Sequence, residues 1–301
     1  MTNLGTMLTA IVTPFDERSR IDEEAFVALM RHLAEHGSDG FVVAGTTGEA
    51  ATMSEHEQLA LIELAVSERP AGTTIVAGTG TNDTREAVNL TERATALGVD
   101  ATLVVTPYYN RPSRLGMVRH YEAVAKATDK PMLLYNVPKR TGTNMPPDLL
   151  AELAQIEHID GVKQANPDEL RLIDGLALYA GDDATFAPTL DLGGAGGILV
   201  ASHVIGDQMR RMVDEPENRE AIDASLRDVY ATLFLTASPT CTKAALKLLG
   251  LPAGGVRLPI VEATDQELVQ VRAMLARHGL LTDDGEPAAH ADASSAQARG
   301  T

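Results

Sequence analysis

Lys163 is the strongest candidate for a reactive residue in this sequence, because it lies in the otherwise apolar segment IDGVKQA (159–165). Burial of an amine disfavours its charged form and lowers its pKa. The neutral amine is the form that attacks a ketone to give a Schiff base. A structural lysine paired with a carboxylate such as Asp160 fits the same pattern equally well, so the surrounding residues must decide between the two interpretations.

A turn of small residues, Gly45–Glu49 (GTTGE), follows another apolar segment. Its glycines let a ligand approach the backbone, and successive N–H groups in such a turn can bind a carboxylate. The hydroxyls of Thr46 and Thr47 can donate or relay protons. An ordinary tight turn is the alternative interpretation of this segment.

Tyr135 and Arg140 add a candidate proton donor and a candidate anion ligand. Tyr135 lies in the apolar segment that precedes the one with Lys163, and a phenol there can act as a general acid or base. Tyrosines at strand ends more often pack with their hydroxyl satisfied. Arg140 can hold a second carboxylate through two parallel hydrogen bonds, although a surface arginine is the commoner case.

Eight apolar segments rich in Val, Ile and Leu position these residues, and they alternate with amphipathic segments. They lack strict alternation, which is typical of parallel strands covered on both faces. The segments are 8–15, 40–45, 73–80, 101–107, 132–138, 159–165, 176–182 and 196–202. Eight βα units predict an α/β fold, a (β/α)8 TIM barrel with its active residues at the carboxyl ends of the strands. An open doubly wound sheet usually has a glycine-rich fingerprint after its first strand, where this chain has Thr13-Pro14-Phe15.

The sequence predicts three regions. Residues 1–204 form the catalytic barrel, and the purely helical pattern of 205–281 predicts a C-terminal helical extension. Residues 282–301 contain almost no large apolar residue, which predicts a disordered tail.

Charge and composition exclude several classes of partner. The formal net charge of the 301 residues is −17, which argues against binding to nucleic acid or to an anionic membrane surface. No segment approaches the ~20 apolar residues of a membrane span. The single cysteine, Cys241, has no internal disulfide partner and gives no metal-ligand spacing. We therefore expect a cytoplasmic protein. We also expect no metal and no cofactor, because Schiff-base chemistry at an amine needs neither and the sequence offers no metal-ligand cluster.

Five ordered segments, GTTGE, PYYN, YNVPxRTG, GVK and GDD, resemble the dihydrodipicolinate synthase/N-acetylneuraminate lyase family over most of the chain, from about Leu8 to Leu275. The resemblance implies a Schiff-base-forming lyase that acts on pyruvate as a homotetramer built from dimers. Arginine at the position of Arg140 is typical of members that condense pyruvate with L-aspartate-4-semialdehyde. That reaction gives 4-hydroxy-tetrahydrodipicolinate in lysine and diaminopimelate biosynthesis.

The resemblance also implies the roles of individual residues. Lys163 forms the imine with pyruvate, and the backbone of Thr46 and Thr47 holds the pyruvate carboxylate. Tyr135, the Thr47 hydroxyl and Tyr109 form a proton relay. Tyr109 would be donated by a neighbouring subunit, so the active unit would be at least a dimer.

Two further roles and three departures complete the resemblance. Arg140 would bind the carboxylate of the semialdehyde, and the carbonyl of Ile198 would face the site. The sequence departs from the family pattern at Gln164, where an acidic residue is frequent, at Ala50, where Ser is frequent, and at Ser238-Pro239, where Asn-Pro is usual. These departures bear on the second substrate and leave the imine chemistry untouched.

Two alternative functions stay open. A sister pyruvate-dependent aldolase acting on 2-keto-3-deoxy sugar acids would keep Lys163 and Tyr135, but such enzymes usually lack arginine at the position of Arg140. A non-catalytic pyruvate-binding barrel would not require the intact set of Lys163, Tyr135 and Thr47.

Feedback inhibition by lysine is expected to be weak or absent. Three positions differ from the serine and two histidines of inhibited members: Ala50, Glu55 and Gln58. Three others match those members: Asn82, Glu86 and Tyr108.

Overall fold

The computed structural model describes residues 3–282 and 284–288. Its strands are β1 (Met7–Ala10), β2 (Gly40–Val43), β3 (Thr74–Gly78), β4 (Ala101–Val105), β5 (Met132–Asn136), β6 (Ile159–Gln164), β7 (Ala177–Ala180) and β8 (Gly196–Leu199). They form a closed parallel barrel in sequence order, with β8 paired to β1. The predicted (β/α)8 barrel is confirmed, and every strand overlaps its apolar segment.

Helices follow the strands and cover the outside of the barrel. They are α1 (Glu23–Glu35), α2 (Glu55–Glu68), α3 (Thr84–Ala96), α4 (Arg114–Ala125), α5 (Pro138–Thr141), α6 (Pro147–Leu153), α7 (Phe186–Asp191), α8 (Ser202–Asp214), α9 (Arg219–Leu233), α10 (Thr240–Leu248) and α11 (Asp265–Arg277). Local sequence fixes several helix starts. Asp22 caps α1, and Ser54 forms a capping box with Glu57 at the start of α2.

The C-terminal helices pack on one another and on the side of the barrel near β7 and β8. Helix α8 contacts α1 and β1, which is the place of the eighth barrel helix, so the expected boundary at residue 204 falls inside α8. Helices α9–α11 form the extension that the sequence predicts. No helix of the described residues is long and apolar enough to span a membrane.

The segment expected to be a tail is only partly described. Residues 284–288 turn back on the end of the extension, where the backbone N–H of Ala288 donates to the Leu280 carbonyl at 2.9 Å. Residues 283 and 289–301 lie outside the described residues.

Side chains on each strand alternate between the barrel interior and the surrounding helices. On β5, Leu133 and Tyr135 belong to the interior cluster, whereas Leu134 packs against the outer helices. Tyr135 is in register with Lys163 on β6, and both line one cavity inside the barrel mouth. Because side chains on a strand alternate with a period of two, Asp160 points away from Lys163.

Candidate active site

A cavity of about 300 Å³ lies at the carboxyl ends of the strands, where a barrel enzyme places its reactive groups. Its floor is apolar and includes Ala10, Val42 and Leu103. Five of the polar wall residues come from the segments that follow the strands: Thr46, Thr81, Tyr108, Arg140 and Thr141. Gln58 lines the wall from α2, and Tyr135 and Lys163 line it from β5 and β6. A cavity of this size and composition suits a small polar metabolite.

Lys163 projects into this cavity and is 5% exposed. Burial lowers its pKa to about 8, while the negative charge of Asp183 raises it and the positive charge of Arg140 lowers it further. With that pKa, roughly a tenth of the amine is neutral at pH 7. Within the described residues, the Lys163 Nζ makes no hydrogen bond and no ion pair, so the structural alternative with Asp160 has no support.

Tyr135 is the side chain beside the amine, with its ring centroid 4.4 Å from the Lys163 Nζ. Burial raises the pKa of Tyr135, and Arg140 and the adjacent Thr46 side chain act to lower it. The phenol is therefore protonated at neutral pH and can donate a proton into the cavity. The structure places Thr46, rather than Thr47, next to the phenol.

The turn Gly45–Glu49 closes on itself above the end of β2. The Glu49 N–H donates to the Thr46 carbonyl at 3.1 Å, and Glu49 adopts a left-handed φ of 60°. In the described part of the chain, no hydrogen bond uses the backbone N–H of Thr46 or Thr47, so both remain available to an anion. Thr46 forms part of the cavity wall, whereas the Thr47 side chain is buried outside it.

The other predicted site residues lie at different distances from the cavity. Arg140, on α5, is at the rim and forms part of the wall. Tyr109 is 90% exposed with a left-handed φ of 73° and is not a wall residue, whereas its neighbour Tyr108 is. The side chain of Ile198 is fully buried in the interior cluster and also lies outside the wall.

Asp183 is a buried carboxylate for which the sequence predicts no role beyond its place in the GDD motif. Its Oδ1 accepts hydrogen bonds from the backbone N–H groups of Val200 and Ala201 at 2.9 and 3.0 Å, just beyond β8. Its Oδ2 is buried without a partner among the described residues. Burial raises the pKa of Asp183 to about 6. Its charge is the largest one raising the pKa of Lys163.

A second buried lysine, Lys243 on α10, lies beneath the turn and was not predicted to matter. Its Nζ donates to Glu49 Oε1 at 2.6 Å, to the Thr13 carbonyl at 2.6 Å and to the Gly255 carbonyl at 2.5 Å. The only local signal is a lysine within the apolar helical segment TCTKAALKLL. Its acidic partner is 194 positions away in the chain.

Comparisons with known proteins agree with this geometry. The model of the dihydrodipicolinate synthetase family matches residues 3–278. The 4-hydroxy-tetrahydrodipicolinate synthase of Moorella thermoacetica is 42% identical over 292 residues, covering 92% of this chain and 99% of the relative. That of Heliobacterium modesticaldum is 41% identical over 288 residues, covering 92% of this chain and 96% of the relative. The crystal structure of the DHDPS of Cyanidioschyzon merolae with lysine bound has a TM-score of 0.89 at 40% identity and covers 93% of this chain and 100% of its own.

Proposed function

This chain belongs to the dihydrodipicolinate synthetase family, and we propose that it condenses pyruvate with L-aspartate-4-semialdehyde to give 4-hydroxy-tetrahydrodipicolinate. The observation that carries the proposal is the Lys163 amine, which has no hydrogen-bond partner among the described residues and lies in the cavity at the barrel mouth beside the Tyr135 phenol. The curated relatives carry the name of this activity. The reaction is that of a lyase of lysine and diaminopimelate biosynthesis.

The first half-reaction makes pyruvate a nucleophile. The free N–H groups of Thr46 and Thr47 bind the pyruvate carboxylate, which places the ketone carbon next to Lys163. The neutral amine attacks that carbon, Tyr135 supplies the proton with which the hydroxyl leaves as water, and an imine remains. Loss of a methyl proton then gives the enamine. Thr46, beside the phenol, is the hydroxyl through which protons reach Tyr135.

The second half-reaction forms the new carbon–carbon bond. Arg140 holds the carboxylate of the semialdehyde at the cavity rim, where a guanidinium makes two parallel hydrogen bonds to it. The enamine carbon attacks the aldehyde carbon, whose oxygen takes up a proton. The amino group of the adduct then attacks the imine carbon, which closes the ring and releases Lys163.

We further propose that Tyr109 completes the proton relay of a neighbouring subunit. Tyr109 is 90% exposed at a left-handed backbone position beside the barrel mouth, so its side chain packs little against the described part of its own chain. The proposal includes the homotetramer built from dimers and the cytoplasmic location expected from the sequence. It also keeps the carbonyl of Ile198 as a group that faces the reaction site.

The experiment that tests this function measures condensation of pyruvate with the semialdehyde by the purified protein, with 2-keto-3-deoxy sugar acids assayed in parallel. Arg140→Ala should lower kcat/KM for the semialdehyde by roughly a hundredfold, because a charge-assisted bidentate contact is lost. The KM for pyruvate should change less, and Arg140→Lys should restore only part of the loss. Cleavage of sugar acids without condensation, or no loss in Arg140→Ala, would refute the assignment of the second substrate.

A further inference from the structure

We propose that the buried ion pair between Lys243 and Glu49 is a positioning element that holds the Gly45–Glu49 turn in the form that binds a carboxylate and cancels the charge that would repel it. The inference rests on the proposed function, because it assumes that pyruvate binds on this turn. Neither residue touches the cavity, so both act through the turn.

The hydrogen bonds of Lys243 are complete. An ammonium has three hydrogens, and those of Lys243 are directed at the Glu49 carboxylate, the Thr13 carbonyl and the Gly255 carbonyl. The side chain is fully buried, and the ring of Phe15 covers the Nζ at 4.6 Å. Lys243 therefore joins three separate parts of the chain: the loop after β1, the turn after β2 and the loop after α10.

Glu49 transmits this anchorage to the turn. Its Oε1 accepts from Lys243, and its Oε2 accepts from the backbone N–H of Arg257 at 3.0 Å. Glu49 is also the left-handed residue that ends the turn, two positions after Thr47. Because both carboxylate oxygens are fixed from below, the left-handed backbone of Glu49 is held in place and with it the direction of the preceding N–H groups.

Thr13 supplies a second tie between the same elements. Its carbonyl accepts from Lys243, and its hydroxyl donates to the Gly48 carbonyl at 2.8 Å. Because this bond holds the Gly48 carbonyl toward Thr13, the turn is fixed at two adjacent residues, Gly48 and Glu49. The C-terminal extension thereby reaches the carboxylate-binding turn without entering the active site.

The charge of Glu49 gives the pair its second effect. A carboxylate two residues from the proposed anion-binding N–H groups repels a second carboxylate, and the protein interior screens that repulsion poorly. Lys243 cancels the charge at 2.6 Å. Removal of Lys243 leaves a buried negative charge under the turn, whereas removal of the Glu49 charge leaves a positive one, so the two changes have opposite electrostatic effects on pyruvate.

The test compares Lys243→Met, Glu49→Gln and the double variant in steady-state kinetics and in pyruvate-dependent borohydride trapping. We expect Lys243→Met to raise the KM for pyruvate by tenfold or more, Glu49→Gln to raise it less, and the double variant to lie between the parent and Lys243→Met. The KM for the semialdehyde and the trapped fraction at saturating pyruvate should stay near those of the parent. A purely structural pair does not produce this order.

The matched control is the Lys247–Glu262 pair, which also starts from α10 but is solvated. Lys247→Met should leave every kinetic constant unchanged. Thr13→Val covers the case in which the charge variants do not fold, because it removes only the tie to Gly48; it should raise the KM for pyruvate severalfold and leave that for the semialdehyde unchanged.

Several outcomes overturn the inference. Unchanged pyruvate KM in the folded variants does so, and so does a larger rise in Glu49→Gln than in Lys243→Met. If no charge variant folds, Thr13→Val decides. The inference is then overturned if Thr13→Val changes the KM values of both substrates equally or changes neither. Failure of the proposed function is distinguished by the parent protein. If the parent is not trapped by borohydride with pyruvate, both the proposed function and this inference are overturned. If the parent is trapped but does not condense pyruvate with the semialdehyde, only the second substrate is wrong, and the pyruvate dependence of trapping in the variants still tests the ion pair.

Discussion

Lys163 and Lys243 are two lysines with nearly the same burial and opposite surroundings. They are 5% and 0% exposed, and burial lowers the pKa of each to about 8. Lys243 donates to three oxygens, one of them a carboxylate, whereas Lys163 has no hydrogen-bond partner in the described ranges and faces a cavity. Depth and pKa alone therefore do not identify a reactive amine. Unused hydrogen-bonding capacity next to open volume does.

The difference has a simple chemical basis. Deprotonation of Lys243 breaks a hydrogen bond and leaves the Glu49 carboxylate without its cationic partner. The nitrogen lone pair of Lys243 would also not face the cavity in which a substrate binds. Deprotonation of Lys163 breaks no hydrogen bond, since the carboxylates of Asp182 and Asp183 influence it only through space. Its lone pair opens directly on the cavity.

The largest expected effect is on the reactivity of the two amines. Borohydride with pyruvate should place a three-carbon adduct on Lys163 and leave Lys243 unmodified, as read from the peptide mass spectrum. Lys163→Met should lower kcat by roughly four orders of magnitude or more, because the covalent route is lost. An adduct on Lys243, or an unmodified Lys163 after full inactivation, would remove the distinction between the two lysines.

The second effect is on the free energy of unfolding, which should depend on Lys243 and not on Lys163. Lys243→Met should lower the free energy of unfolding by about 3–5 kcal/mol, since it leaves Glu49 buried and uncompensated. Glu49→Gln/Lys243→Met should recover most of that loss. Lys163→Met should not destabilise, because it removes an amine that burial has stripped of water without a compensating bond. Urea unfolding of the four proteins measures this, and equal losses at both lysines would contradict it.

The third effect concerns the phenol that only Lys163 has beside it. Tyr135→Phe keeps the ring that lies 4.4 Å from Nζ and removes the proton donor. We expect kcat to fall by roughly a hundredfold or more, the usual range for a lost general acid, with an unchanged unfolding transition. Adduct formation in the trapping assay should slow by a similar factor. A rate within threefold of the parent would exclude Tyr135 from the proton transfers.

The smallest effect is electrostatic. The charged groups that act on Lys163 are Asp183 and Asp182, which raise its pKa, and Arg140, which lowers it, with Tyr135 against the amine. The acid limb of kcat/KM for pyruvate should lie near pH 8 in the parent. Asp183→Asn removes a negative charge, so the pKa of Lys163 falls and the limb should move to lower pH, by less than about one unit. A limb that moves to higher pH would reverse the sign assigned to Asp183.

The strands of the barrel were predictable because the signal is local. Each of the eight apolar segments fell on one strand, and the capping residues Asp22 and Ser54 fixed two helix starts. The bounds of the short helices α5, α6 and α7 cannot be predicted in this way, since four to seven residues are too few to establish a helical period. The expected boundary between barrel and extension, at residue 204, falls inside α8. The last barrel helix and the helices of the extension have the same sequence pattern, so the pattern does not show where one ends and the other begins.

The site was predictable where motif and strand end coincide. Lys163, Tyr135, Thr46 and Arg140 all line one cavity. The anchorage of the turn by Lys243 was not predictable, because Glu49 and Thr13, two of its three partners, are 194 and 230 positions away and share no local pattern with it. Pairings of that kind are set by the closed barrel and not by any segment of it.

The large sequence separation between Glu49 and its partners has a consequence for synthesis and folding of the chain. Glu49 receives its two anchors from positions 243 and 257, so the turn it ends is made in the first sixth of translation and secured only near the end. A nascent chain that ends at β8 has all eight strands but lacks Lys243 and Arg257, which hold the turn at the barrel mouth. Because closing so long a loop is entropically costly and slow, we expect affinity for pyruvate to appear as one of the last events of folding, after the barrel itself has formed.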